Sequence, residues 1–235
     1  MKNNLTILST KILKPYIKDQ LVENDFNVVE HDFIKIEIVG APLAKQIVTT
    51  HLPNYIFTSK NAVKAFIRFT TTNKIVINKK ANFFALSGET QLSLEDEGYK
   101  VLISKDNATA LANEIISTTK EKQFVFFCGD KRRSELPNAL QHAGLRLTEI
   151  VLYKNLPRPK KIVEQYQAIL FFSPSGVKSF FEENVLPKFT QCFCIGYTTA
   201  NALKEYKLNN KIAVISYPSQ QVMIDEVLHY FNIKN

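Results

Sequence analysis

The stretch Ile169–Asn184, ILFFSPSGVKSFFEEN, begins as a continuous apolar run and ends with apolar residues at helical spacing. The two parts meet at Ser-Pro-Ser-Gly. A short apolar run bounded by turn residues is typical of a buried strand, and the pattern after it is typical of an amphipathic helix. The stretch therefore predicts a buried strand, a polar loop and a helix in direct succession.

Short apolar runs alternate with helical patterns along the rest of the chain. The other runs are LTIL, NYIFTS, KIVINK, NFFALS, FVFFCG, CFCIG and IAVIS. Strands that alternate with helices in this way are typical of parallel sheets covered by helices on both faces. The predicted fold class is α/β, with two similar lobes that each contain a parallel sheet flanked by helices and that are joined by a two-stranded connector.

The two lobes are predicted from an internal repeat. FTSKNAVKAF aligns with FFSPSGVKSF, so that Ser59 stands opposite Ser173. Two further matches follow in the same order, SGETQLSL with GYTTANAL and DNATALANEI with PSQQVMIDEV. Three matches in one order indicate two copies of a single βα architecture.

Two extended stretches lie between the copies, EHDFIKIEIVG (30–40) and IVLYKNLPRPKK (150–161). The second contains Pro157 and Pro159, which disfavour helix. We expect the chain to leave a first lobe, complete a second one and return, with a ligand cleft between them. The expected boundaries are 1–32 with 161–235 for the discontinuous lobe, 39–150 for the inserted lobe, and 33–38 and 151–160 for the connectors.

Composition narrows the function classes. The 235 residues contain no apolar run long enough to span a membrane and no secretion signal, so we expect a cytoplasmic protein without a membrane partner. The three cysteines and four histidines lack the spacing of metal ligands, which predicts buried, reduced thiols and no metal. The net charge of +8 is thinly spread, and its densest group, Lys131–Arg133, is too short for a nucleic-acid site. Solvation of the surface explains most of these charges, and binding of an acidic small molecule would explain a few of them.

The loop SPSG has the chemistry of an anion site. Ligands of parallel α/β sheets bind beyond the carboxyl ends of the strands, where backbone N–H groups and the positive end of a helix attract anions. Similar hydroxyl-rich loops occur at TSKNA, SGET and GYTT. Capping of the helices by serine would also explain each loop taken alone. If all of these loops surround one cleft, they predict a ligand with several negative charges.

The order of these motifs resembles that of the uroporphyrinogen-III synthase family. The matching segments are IFTSKNAV, FFCGDKRRSELPNALQHAG, VLYKNLPRP, ILFFSPSGVKSFF and CIGYTTANAL. The resemblance implies a monomeric lyase without a cofactor, which cyclises the linear tetrapyrrole hydroxymethylbilane with inversion of the last pyrrole and loss of water. The product of such an enzyme is uroporphyrinogen III, in heme biosynthesis. Its substrate carries an acetate and a propionate on each ring, which suits loops that bind anions.

The resemblance also implies roles for individual residues. Tyr153, in VLYKN, matches the tyrosine that is proposed in the family to help the hydroxyl leave. Gly176 stands where the chain turns into a helix, a place at which a positive φ would require glycine. The sequence departs from the family pattern at Asn61, at Tyr197 and in the loop SGET. The positions that match the ligand-contacting loops are Thr58, Ser59, Thr90, Ser173, Ser175, Gly176, Thr198 and Thr199.

Two other classes of protein remain open at this point. A two-lobed binding protein would use the same loops to hold a polyanionic small molecule without converting it, and Tyr153 would then be a half-buried linker residue. An enzyme resembling a nucleotide-dependent glycosyltransferase would need acidic metal ligands or a glycine-rich phosphate loop. The seven glycines form neither a G-x-G-x-x-G nor a Walker pattern.

Overall fold

The computed structural model describes residues 5–40, 54–78, 80–217 and 219–231, and it contains two sheets flanked by helices. The α/β class predicted from the sequence is confirmed. The strands are β1 (Leu5–Ser9), β2 (Phe26–Glu30), β3 (Ile34–Ile38), β4 (Asn54–Phe57), β5 (Asn82–Leu86), β6 (Val101–Lys105), β7 (Gln123–Gly129), β8 (Arg146–Pro157), β9 (Ala168–Phe171), β10 (Gln191–Cys194) and β11 (Ile212–Val214). The helices are α1 (Pro15–Glu23), α2 (Lys60–Thr72), α3 (Glu89–Glu95), α4 (Ala108–Thr118), α5 (Glu135–His142), α6 (Pro174–Phe181), α7 (Tyr197–Lys204) and α8 (Gln220–Tyr230).

The chain divides into two compact units. The discontinuous unit consists of Met1–Lys35 and Leu156–Asn235, and the inserted unit of Ile36–Asn155. Residues 41–53 of the expected inserted lobe lie outside the described residues. In both units the strands around the centre of the sheet are parallel, so their carboxyl ends meet at one edge of each sheet.

The two sheets share one strand layout. The discontinuous unit has the order β11-β10-β9-β1-β2, and the inserted unit has β3-β8-β7-β4-β5-β6. Read in the reverse direction, the order of the discontinuous unit is β2-β1-β9-β10-β11, which corresponds to β8-β7-β4-β5-β6 of the inserted unit. The repeat in the sequence therefore places β4 and α2 in the position that β9 and α6 occupy in the other unit.

Central strands are apolar on both faces because helices cover both faces of each sheet. All side chains of NYIF in β4 and of AILF in β9 are buried. Alternate residues enter opposite layers: Tyr55 and Phe57 belong to one core cluster of the inserted unit, and Ile56 to the other. Helix α2 buries Val63 and Phe66 against the first of these clusters, as the spacing of its apolar residues predicts.

One predicted strand is wrong. KIVINK contains no strand at residues 75–78, and Val76 is 92% exposed. Ile75 and Ile77 instead pack against the core of the inserted unit, so their alternation reflects side-chain burial without backbone pairing. The structure also contains β6, an edge strand that the sequence reading did not identify.

The three cysteines are free and buried. Burial raises the pKa of the Cys128 thiol to about 11, and those of Cys192 and Cys194 to about 12, above the ordinary value of 9.0. The contribution of the neutral, buried thiols to the free energy of unfolding is therefore fully present below about pH 9. It is lost as the pH rises through the pKa values of the folded protein.

We expect the native protein at pH 8 to react with a thiol reagent at least about 100-fold more slowly than the urea-unfolded protein, because labelling must wait for local opening. Absorbance after addition of Ellman's reagent measures both rates, and the unfolded sample is the control for complete labelling. Rapid labelling of a thiol in the native protein would contradict the burial described here.

Candidate functional site

Hydroxyl side chains follow neighbouring strands at the carboxyl edge of the inserted sheet. Strand β4 leads into Thr58 and Ser59, and the loop after β5 leads to Thr90 at the start of α3. Strand β8 runs parallel to β7 and carries Tyr153 level with the last residue of β7. The residues that sequence analysis assigned to this unit therefore collect at one edge of one sheet.

Ser59 connects the start of α2 with Tyr153. As the N-cap of α2, it accepts a hydrogen bond from the backbone N–H of Asn61 at 3.1 Å. Its Oγ also accepts a hydrogen bond from the Tyr153 hydroxyl at 3.2 Å. A serine hydroxyl has two acceptor sites and one proton, so Ser59 can still donate its own proton.

Tyr153 is buried, with 7% of its surface exposed. Burial raises the pKa of its phenol, and the hydrogen bond to Ser59 opposes this shift only in part. The phenol is therefore fully protonated at neutral pH, as a hydrogen-bond donor must be. Its ring belongs to the core cluster that also contains Phe57 and Leu152, which fixes the direction of the hydroxyl.

An ion pair joins the starts of α2 and α3. Lys60 Nζ lies 2.8 Å from Glu89 Oε2, and the two side chains are 34% and 58% exposed. Exposed pairs of this kind contribute about 0–1 kcal/mol, so an anionic ligand can exchange with Glu89 at small cost. Thr90 is buried beside this pair.

The basic segment Lys131–Arg133 follows β7 and is exposed. Arg132 binds both carboxylate oxygens of Glu149, a residue of β8. Its charge is therefore already paired with a protein carboxylate, and the segment offers less positive charge than its sequence suggests.

In the discontinuous unit, Ser173 and Gly176 form the start of α6. Ser173 is the N-cap, and its Oγ accepts a hydrogen bond from the backbone N–H of Gly176 at 3.0 Å. Pro174 occupies the first helical turn, where its missing N–H costs nothing. Ser175 is half-buried and Gly176 is buried. The positive φ considered for Gly176 is not found, because its backbone continues the helix; the glycines with positive φ are Gly88, Gly98 and Gly144.

The start of α7 is similar but has no side-chain cap, since its N-cap is Gly196. Thr198 is exposed, whereas Thr199 is 1% exposed and packs into the interior. Tyr197 is 72% exposed, so this departure from the family pattern places an aromatic ring at the carboxyl edge of the sheet.

The structure brings some predicted residues into direct contact and leaves others apart. Tyr153 contacts Ser59, and Ser173 contacts Gly176, each pair within one unit. Sequence reasoning did not identify Gly129, which pairs with Tyr153 across β7 and β8. Its signal was a glycine at the end of the strand FVFFCG.

Two features of other protein classes are not observed in the described part of the chain. None of its helices has the length and apolarity that crossing a membrane requires. Nor do its histidine, cysteine and acidic side chains form a group of three or more that could hold a metal ion.

Comparison with known proteins adds a family and a fold. A family model described as uroporphyrinogen-III synthase HemD matches residues 17–224. A uroporphyrinogen-III synthase of Chlorobaculum parvum is 26% identical over an alignment of 184 residues, and the match covers 71% of this chain and 74% of that protein.

Two solved structures have the same fold over almost their whole length. A uroporphyrinogen-III synthetase of Helicobacter pylori gives a TM-score of 0.72 at 19% identity, covering 97% of this chain and 99% of its own. A mutant uroporphyrinogen III synthase of Thermus thermophilus gives 0.66 at 16% identity, covering 98% and 100%. At these identities the likeness concerns the fold.

Proposed function

Since the chain belongs to the uroporphyrinogen-III synthase family, we infer that it is a lyase that cyclises hydroxymethylbilane, with inversion of the last pyrrole and loss of water, to give uroporphyrinogen III in heme biosynthesis. One carbon–oxygen bond breaks, and inversion also breaks the carbon–carbon bond between the last pyrrole and the methylene bridge to its neighbour. Two carbon–carbon bonds form, because each α-carbon of the inverted pyrrole is joined to a new methylene group. The departing hydroxyl and the proton lost from the previously unsubstituted α-carbon of that pyrrole together make up the water. The observation that supports this chemistry in the structure is the buried, protonated hydroxyl of Tyr153 at the carboxyl edge of its sheet.

Tyr153 is proposed to assist departure of the hydroxyl. As the carbon–oxygen bond lengthens, negative charge develops on the leaving oxygen, and a fixed hydrogen-bond donor stabilises that charge. The bond that Tyr153 now gives to Ser59, at 3.2 Å, is long for two hydroxyl groups. The leaving oxygen can therefore replace Ser59 as the acceptor without loss of a strong bond.

The acetate and propionate groups of the substrate are proposed to bind at the hydroxyl-rich helix starts. Thr58, Ser59, Ser175 and Thr198 are partly or fully exposed and offer hydroxyl groups directly. Ser173 and Gly176 order the start of α6 through their cap hydrogen bond. Backbone N–H groups at a helix start add about 0.3–1 kcal/mol for each anion.

Thr90 and Thr199 belong to the same proposal in a different way. Both side chains are buried, at 6% and 1% exposure, and they pack beneath the helix starts. At these two positions the backbone of the helix start, and not the threonine side chain, is proposed to contact the substrate. Lys60, now paired with Glu89, supplies a positive charge that a substrate carboxylate can share.

Because binding is shared among many donors, removal of one hydroxyl is expected to have a small effect. Thr58→Ala, Ser175→Ala and Thr198→Ala should each raise KM by less than about tenfold and leave kcat nearly unchanged, since one hydrogen bond contributes about 0.5–1.5 kcal/mol. Steady-state kinetics measures both constants. Ser117→Ala, on the exposed face of α4, is the control. Complete loss of activity in one folded variant would assign the chemistry to that side chain.

We further propose a cytoplasmic monomer that binds no nucleic acid. Three free, buried cysteines suit a reducing compartment. The pairing of Arg132 with Glu149 weakens the densest basic segment as a nucleic-acid contact. The molar mass in solution, measured by light scattering, tests whether the protein is a monomer. A dimer at micromolar concentration would contradict this proposal.

Turnover tests the proposed reaction. Protein at about one-thousandth of the hydroxymethylbilane concentration should convert all of it well before spontaneous closure does, because a catalyst acts repeatedly. Consumption is followed by absorbance of the oxidised porphyrin products. A binding protein would protect only an equivalent amount of substrate and would leave the overall rate unchanged, which would contradict the lyase assignment.

A further inference from the structure

The geometry points to Gly129 as the residue that allows Tyr153 to reach its working position, an inference that rests on the function proposed above. Gly129 ends β7 and pairs with Tyr153 of β8. In the sheet order β8-β7-β4, strand β7 lies between the strand of Tyr153 and the strand that leads to Ser59. Neighbouring strands are about 4.8 Å apart, so the Tyr153 side chain crosses the end of β7 to reach Ser59.

The ring of Tyr153 occupies the space that a side chain at position 129 would need. A Cβ atom added there would lie 2.5 Å from Cζ of Tyr153, 2.6 Å from Cε2 and 2.8 Å from the hydroxyl oxygen. Real Cβ atoms essentially never approach other atoms within 3.0 Å. The φ of Gly129 is not in the left-handed region, so the backbone itself would accept alanine. The requirement for glycine comes from the tyrosine ring.

A bulge in β8 directs the ring toward Gly129. Cys128 pairs with Val151 and Gly129 pairs with Tyr153, which leaves Leu152 as an extra residue. Consecutive residues of a regular strand face opposite sides of the sheet. Here Leu152 and Tyr153 both belong to the same core cluster. The bulge therefore turns the Tyr153 side chain onto the same face of the sheet as Leu152. On that face the end of β7 has no room for a side chain.

Asp130, the residue after Gly129, fixes the alignment of β7 with β8. The backbone N–H of Asp130 donates to the carbonyl oxygen of Tyr153 at 3.1 Å. Its carboxylate accepts a hydrogen bond from the backbone N–H of Asn155 at 2.9 Å. The backbone on both sides of the contact is therefore fixed, and a Cβ at Gly129 must displace the ring of Tyr153 and move its hydroxyl. Gly129 is in this sense a positioning residue.

Gly129→Ala is expected to lower kcat about tenfold or more and to leave KM within about threefold, because a small displacement of a reacting group is costly to the chemical step. In the Tyr153→Phe background the same substitution should change kcat less than about twofold, since there is no hydroxyl left to misplace. Gly40→Ala is the matched control, because a Cβ at Gly40 meets nothing within 4 Å. Equal losses of kcat in the parent and Tyr153→Phe backgrounds, or an unchanged kcat for Gly129→Ala, would overturn the inference.

Thermal unfolding tests the contact independently of turnover. Gly129→Ala should lower Tm in the parent and have little effect on Tm in the Tyr153→Ala background, where the ring is absent. This comparison also decides the case in which Gly129→Ala alone fails to fold, because the double variant should then regain a folded state. An equal loss of Tm in both backgrounds would overturn the inference. A parent protein that fails to convert hydroxymethylbilane would overturn the proposed function, whereas the Tm comparison would still report on the contact.

Discussion

Tyr153→Phe is expected to lower kcat about 100-fold and to leave KM within about threefold, the pattern of a group that acts mainly in the transition state. Phenylalanine keeps the ring in the core cluster and removes only the hydroxyl. The lost atom is a donor that burial keeps protonated. Because the pKa of Tyr153 is raised, the donor is present throughout the neutral range and is lost only as the pH rises through the folded-state value above 10.0.

Tyr55→Phe is the matched control for this variant. Tyr55 is a second buried tyrosine of the same core cluster, in β4, and burial raises its pKa to about 12. Its hydroxyl has no proposed part in the reaction, so Tyr55→Phe should leave kcat within about twofold. Stopped assays at saturating hydroxymethylbilane measure both variants. A Tyr153→Phe protein with the kcat of the parent would make Tyr153 a packing residue.

Gly176→Val is expected to destabilise the discontinuous unit by about 2–4 kcal/mol, from a disturbed helix cap and an overpacked site. A Cβ at Gly176 would lie 3.2 Å from Ser173 Oγ and 3.8 Å from Thr10 Oγ1. The branched side chain of valine extends beyond that atom. It must displace the Ser173 hydroxyl that accepts the Gly176 N–H, and it disorders a helix start that is proposed to bind the substrate.

Thermal unfolding should show a fall in Tm of roughly 5–15 °C for Gly176→Val, with a smaller fall for Gly176→Ala. Ser175→Ala, one residue earlier and half-buried, is the control and should stay close to the parent in Tm. Activity below Tm should fall more for Gly176→Val than for any removal of a single hydroxyl. A valine variant with the Tm and activity of the parent would contradict the described packing of this helix start.

The parts of the fold that the sequence predicted are those that local patterns determine. Buried strands such as AILF are apolar on both faces, and the serines that cap α2 and α6 stand at matching places of the repeat. Patterns were misleading where a different interaction dominates. Ile75 and Ile77 alternate like a strand, yet they pack against the core and pair with no strand of the described sheet.

The candidate site was less predictable than the fold. Sequence analysis named Tyr153 and Ser59 separately, but their contact depends on the strand order and on the bulge at Leu152, which are long-range features. It also treated Thr198 and Thr199 alike, although one side chain faces outward and the other is buried. Gly129 carried no distinctive signal, because a glycine at the end of a strand usually indicates only a turn.

The central claim, that this chain inverts the last pyrrole as it closes the ring, is tested most directly by the porphyrin isomer formed from hydroxymethylbilane. Spontaneous closure proceeds without inversion and gives isomer I. The reaction with enzyme should be oxidised and separated by chromatography beside a reaction without protein and one with Tyr153→Phe. We expect almost entirely isomer III with the parent protein, and isomer I without protein. Isomer I alone in the presence of folded parent protein would contradict the account.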